Sequence, residues 1–198
     1  MTPMTTRKRA AIIHGYGATP EDHWFGWLAA RLDARGIPTA VPALPDPGAP
    51  DPDRWRAAVA DAIGTPDEDT VLIAHSLGCV TALGHLSALT GRWRIGALVL
   101  VAGFTDTLPA LPALDSYIDH IGNPLDPSAI PGHVDRLTVL RSDADPYVPP
   151  AHTDRLAALL GTTARIVPGA GHFLASDGVT SLPAALDAVA LRDVRCPQ

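Results

Sequence analysis

Residues Val71, Leu72, Ile73, Ala74, His75, Ser76, Leu77, Gly78 and Cys79 form an apolar run that stops abruptly at a serine with small residues two positions away on either side. This pattern predicts a buried strand that turns sharply into a helix at Ser76, the arrangement called a nucleophile elbow. The turn strains the serine backbone, and larger flanking side chains would collide with the adjoining strand and helix, so Ala74 and Gly78 must be small. Glycine is usual at both flanks, and Ala74 is a mild departure.

A serine hydroxyl is a weak nucleophile at neutral pH, so an elbow requires a histidine base and a carboxylate to orient it, both later in the chain. Asp143 and Asp145 follow an apolar run at 137–140, and His172 follows another at 164–167 inside Gly169, Ala170, Gly171, His172, Phe173. Each candidate thus stands at the C-terminal end of an expected strand, in the required order.

Further apolar runs at 10–13, 39–41, 70–74 and 95–101 complete a set of strands. They alternate with segments of helical spacing: Trp24, Trp27, Leu28 and Leu32; Trp55, Val59 and Ile63; Leu156, Leu159 and Leu160. The expectation is an α/β fold in one domain, 1–198, with a doubly wound, mostly parallel sheet of about six strands and helices on both faces. Ligands of such sheets bind beyond the carboxyl ends of the strands, where Ser76, the carboxylate and His172 should meet. The first strand ends in His14, Gly15, Tyr16, Gly17, a turn expected to bring the Tyr16 amide beside that of Leu77 as an oxyanion hole.

A dinucleotide fingerprint at Gly15 and Gly17 fails because Pro20 stands where a third glycine belongs, and no acidic residue ends the next strand near Val41. No phosphate-binding loop is present, and His14, His75 and His172 lack metal-ligand spacing, so neither cofactor nor metal is expected. His75 is expected to pack beneath the site without chemistry. A net charge of −6 without a basic block argues against nucleic acid as a partner. No run approaches the roughly 18–20 apolar residues of a membrane helix, and the start lacks a signal-peptide core, so the expectation is a cytoplasmic protein with no membrane partner, monomeric by default. Residues 1–8 read as a disordered lead-in, and Cys79 and Cys196 make no disulfide framework. The proline-rich stretch 104–132 reads as a short lid in which Tyr117, Ile118 and Ile121 are the apolar cluster and Asp106, Asp115 and Asp119 are solvated.

Beyond the elbow, the chain carries Trp24, Phe25, Gly26, Trp27 after the first strand, Pro45, Asp46, Pro47 before Trp55, then Asp145, Pro146, Tyr147, and Gly171, His172, Phe173. In these it resembles the small α/β-hydrolases represented by retinoblastoma-binding protein nine and its bacterial YdeN relatives. The resemblance implies the α/β-hydrolase fold with Ser76 as nucleophile, Asp145 rather than Asp143 as orienting acid, and His172 as base. Gly15, Trp24, Phe104, Tyr147 and Phe173 are the expected substrate-lining residues, Trp24 at the rim. The implied chemistry is hydrolysis of a small-molecule acyl substrate, an ester, thioester or activated amide. Two alternatives stay open: acyl transfer or cyclisation by the same residues, and an interaction module whose triad is vestigial.

Overall fold

The computed structural model describes residues 8–122 and 125–189. The expected lead-in, apart from Lys8, and Cys196 lie outside them. Six strands, β1 (Arg9–Ile13), β2 (Thr39–Ala40), β3 (Thr70–His75), β4 (Ala97–Val101), β5 (Leu137–Arg141) and β6 (Arg165–Ile166), form one sheet in the order β2-β1-β3-β4-β5-β6. Every pairing is parallel, in register from Arg9↔Thr70 and Val71↔Ala97 outward. The order reverses after β2, so β1 and β3 are central neighbours whose carboxyl ends open the crevice where ligands of such sheets bind.

Parallel strands covered on both faces need apolar residues at every position. Accordingly β3 and β4 are buried throughout. Their side chains alternate between two cores. Leu72, Ala74, Leu98 and Leu100 face one layer, and Val71, Ile73, Val99 and Val101 face the other. The first layer holds α2 (Pro52–Ile63), α3 (Leu77–Ala88), α4 (Asp115–Ile121) and α5 (Pro150–Leu159); the second holds α1 (Phe25–Asp33) and α6 (Pro183–Val189).

The spacing of Trp55, Val59 and Ile63 makes the buried stripe of α2, whose start is capped by the Asp51 carboxylate accepting from the Arg54 amide at 2.9 Å. On α1 the buried set is Phe25, Leu28 and Leu32, and Trp27 instead lies beneath the Arg31 guanidinium. On α5, Leu159 is exposed and Ala157 takes its expected place inward.

The lid is a packed element. Tyr117 and Ile118 of α4 are buried, the Tyr117 hydroxyl lies 2.7 Å from Thr81 Oγ1 on α3, and the absence of a side chain at Gly84 leaves room for Ile121. Asp106, expected to be solvated, instead bonds to His152 Nδ1 at 2.9 Å and pairs with Arg155, so α5 holds the start of the lid. No helix among the described residues is long and apolar enough to cross a membrane.

Candidate active site

Ser76 stands between the last residue of β3 and the first of α3 with φ 54° and ψ −124°, a conformation that L side chains rarely adopt. Its amide donates to the Val101 carbonyl at 2.9 Å, fastening the turn to β4. Tight approaches explain the small neighbours. A methyl group on Gly78 would lie 2.5 Å from the His14 carbonyl oxygen and 2.7 Å from that of Ile13. One on Gly15 would lie 2.9 Å from Ser76 Cβ, so the loop after β1 rests directly against the serine.

Three side chains from the carboxyl ends of β3, β5 and β6 meet here. Ser76 Oγ is 2.9 Å from His172 Nε2, and His172 Nδ1 is 2.7 Å from Asp145 Oδ2. Asp145 and Ser76 are both almost fully shielded from solvent. The other Asp145 oxygen accepts from the Tyr147 and Val148 amides, each at 2.9 Å, which holds the carboxylate in place. Asp143 faces elsewhere and accepts from the Gly169 amide at 2.7 Å.

The Leu77 amide opens α3, where no intrahelical acceptor exists for it. The Tyr16 amide follows Gly15 in the loop against Ser76, and no acceptor is paired with it among the described residues. That loop is set by His14, whose Nδ1 bonds to the Gly15 carbonyl at 3.0 Å while Nε2 accepts from the Leu44 amide at 3.1 Å. Because Nε2 accepts, Nδ1 carries the proton and the ring is neutral, in keeping with burial holding its pKa below the usual histidine value.

Of the residues expected to line a substrate, Gly15 lies against Ser76, and Tyr147 is exposed with its ring 5.3 Å from that of His172. Trp24, Phe104 and Phe173 are corrected. Each is fully buried, Trp24 and Phe173 beneath the α1 and α6 layer and Phe104 beneath the other, so none presents surface to a ligand. Trp24 stacks edge-on with Phe25 and His75 instead of reaching the rim. A groove of about 490 Å³ runs from Tyr16 past Gly48 and Pro50 to Leu114, Tyr117 and His120. Two larger hollows of about 570 and 550 Å³ lie at the opposite ends of the strands, around Glu68 and Arg136 and around Trp93 and His133.

His75 packs beneath the site as expected, but its bond to the main chain of His172, and the parts played by Asp177 and His23, were not read from the sequence. His75 Nε2 donates to the His172 carbonyl at 2.9 Å, and burial, then the proximity of His172, holds its pKa well below the usual histidine value. Asp177 accepts from the His172 amide, and His23 accepts from the Ala175 amide at 3.0 Å. The one available signal was Gly171, whose missing side chain leaves room for the Asp177 carboxylate. Among the described residues, no group of three His, Cys, Asp or Glu side chains is arranged to hold a metal ion.

The sequence model of the Serine hydrolase family matches residues 10–190. YdeN of Bacillus subtilis, named as a hydrolase, is 35% identical over 180 residues, covering 91% of this chain and 93% of that protein. Its crystal structure superposes with a TM-score of 0.86 over 92% of this chain and 96% of its own. Est1E of Butyrivibrio proteoclasticus, 14% identical, shares the fold with a TM-score of 0.63 over 94% of this chain and 90% of its own. A match spanning almost every described residue and a YdeN structure that superposes over 92% of the chain agree with the sheet order and the strained serine turn: the chain has the α/β-hydrolase fold and belongs to the serine hydrolase family.

Proposed function

We propose that this serine hydrolase cleaves carboxylic esters of small acyl groups, or the related thioesters and activated amides, through an acyl-enzyme on Ser76. The observation that carries this reading is the continuous hydrogen-bond chain Ser76 Oγ, His172 Nε2, His172 Nδ1, Asp145 Oδ2, with spacings of 2.9 and 2.7 Å.

In this mechanism His172 takes the Ser76 proton as the hydroxyl attacks the acyl carbonyl, and Asp145 keeps Nδ1 protonated and stabilises the imidazolium that forms. The Leu77 and Tyr16 amides donate to the oxyanion. His172 then returns the proton to the leaving group, and a water deprotonated by the same ring releases the acid. The groove beside Tyr16, with Tyr147 on the His172 side, offers room for the acyl and leaving groups. No bound metal or cofactor is called for in these steps.

The test is fluorophosphonate labelling with peptide mapping, beside turnover of p-nitrophenyl esters of graded chain length. Labelling at Ser76 with ester turnover supports the acyl-enzyme. Absence of labelling on folded protein overturns it, and partition to added alcohols or amines in place of water would move the reading to acyl transfer.

A further inference from the structure

We propose that Asp177 is a positioning residue for His172: its carboxylate holds the main chain of the loop so that the imidazole meets Ser76 and Asp145 together. This rests on the catalytic role proposed for His172. The loop from Gly169 to Gly178 has positive φ at Gly169, Gly171, Phe173 and Gly178, so no regular hydrogen-bond ladder can fix its path. Side chains do so instead. Asp177 Oδ2 accepts from the His172 amide at 2.8 Å and from the Leu174 amide at 3.1 Å.

On the far side of the same residue, His75 Nε2 donates to the His172 carbonyl at 2.9 Å. The two peptide groups flanking the His172 Cα are therefore both held, which sets the direction of its Cα–Cβ bond before Asp145 orients the ring. Gly171 completes the device. Any Cβ there would overlap the Asp177 carboxylate, so the glycine that precedes the base is explained by the acid that follows it. Asp177 is the last residue of a three-residue helical turn, Ala175–Asp177, and its bond to the amide of Leu174, the residue before the turn, is a capping bond. A capping role alone would account for the Leu174 bond but not for the shorter bond to His172, two positions before that cap.

The decisive comparison is Asp177→Ala against Asp177→Asn, read by ester kcat and KM and by ¹⁵N shifts of the His172 ring, which report its tautomer. Because a displacement near 1 Å costs on the order of 10²-fold, Asp177→Ala is expected to lower kcat by roughly 10- to 100-fold with KM within about twofold. Its ring shifts should leave the single Nδ1–H form. Asp177→Asn, which keeps an acceptor, should recover most of that loss. Should the alanine variant fail to fold, Asp177→Ser carries the same comparison, being polar but too short to reach the His172 amide. Wild-type kcat and ring shifts in the alanine or serine variant would overturn the proposal, as would equal losses in the asparagine variant. If the wild-type protein turns over no ester and Ser76 does not label, the hydrolytic reading has failed, and the ring shifts still decide whether Asp177 holds His172.

Discussion

Asp145 meets His172 with one oxygen only: Oδ2 lies 2.7 Å from Nδ1, while Oδ1 is committed to the Tyr147 and Val148 amides. This division dictates what Asp145→Asn does. The asparagine carbonyl must take the Oδ1 place to satisfy the two amides, so its NH₂ faces His172 Nδ1 and drives the ring toward the tautomer that cannot accept from Ser76. The expected loss in kcat is on the order of 10³- to 10⁴-fold with little change in stability. Asp143→Asn still offers the Gly169 amide an acceptor and should remain within about threefold of wild type. Steady-state kinetics on one ester decide it, and the reverse pattern would transfer the acid to Asp143.

Ser76 separates activity from stability. Its φ of 54° costs any L side chain about 1–3 kcal/mol, and only glycine escapes that cost, at roughly 0.5–1 kcal/mol of backbone entropy. Ser76→Ala and Ser76→Gly both lose the hydroxyl, and both should lose kcat by at least about 10³-fold. Between them, the glycine variant is expected to be more stable by about 1 kcal/mol in urea unfolding. An alanine variant of equal or greater stability would show that the turn holds no strain.

Gly15 and Gly78 both touch the serine turn but through different atoms, so their alanine variants should fail differently. At Gly78 the methyl would press on two main-chain carbonyls of β1 and the residue after it, which cannot yield without moving the strand. Gly78→Ala is expected to lose roughly 1–3 kcal/mol of stability, or more, and to express poorly. At Gly15 the nearest atom is Ser76 Cβ itself, so the serine is pushed from His172 and kcat falls ahead of stability. Thermal midpoints measured beside kcat distinguish the two, and a fully active Gly78→Ala would contradict the packing described.

What was legible in the chain follows from periodicity and sterics. The strand runs, the stripe of α2, the order of Ser76, a carboxylate and His172, and the need for a small residue at Gly78 are consequences of local spacing, and each appears in the structure where expected, whereas the choice of Asp145 over Asp143 came from the family resemblance. The burial of Trp24, Phe104 and Phe173 was not legible, because adjacency to a site residue in sequence does not say which way a loop side chain turns. Phe173, next to His172, has φ 60° and points into the core. Asp177, His75 and His14 act through side-chain bonds to the main chain of loops, and such bonds depend on the path of the loop, for which no repeat in the sequence stands.

Two neutral histidines beneath the site tie stability to pH. Burial is the leading cause of the lowered pKa of both His14 and His75. The unfolded chain, with histidine near 6.5, therefore binds more protons than the folded one below that value, and stability falls as pH falls toward the folded-state values. Each histidine can contribute at most about 1.4 kcal/mol per pH unit. The urea midpoint should thus drop between roughly pH 6.5 and pH 5, with the slope reduced in His14→Gln. A flat profile across that window would mean that these rings carry protons in the fold.

The loops at the carboxyl edge of the sheet, residues 14–24, 41–51, 102–114, 142–149 and 167–182, contain no lysine or arginine, yet carry Glu21, Asp22, Asp46, Asp51, Asp106, Asp143, Asp145 and Asp177. Among the described residues, Arg141 at the end of β5 pairs with Asp154, and Arg54 and Arg155, which reach this edge from helices, pair with Asp46 and Asp106. A substrate approaching Ser76 is therefore expected to meet a negative field from the carboxylates of this edge that lack a cationic partner. Fields of this kind change encounter rates by about 10- to 10³-fold and fade as salt screens them. Neutral and cationic esters are expected to exceed an isosteric ester bearing a carboxylate by about tenfold or more in kcat/KM at low ionic strength, and the gap should narrow as salt is added. Thioesters on phosphate-bearing carriers should rank with the anionic ester. Equal turnover of the charged and neutral esters at low salt would show that the edge field does not reach the serine, and the choice among acyl substrates would then rest on the groove beside Tyr16 alone.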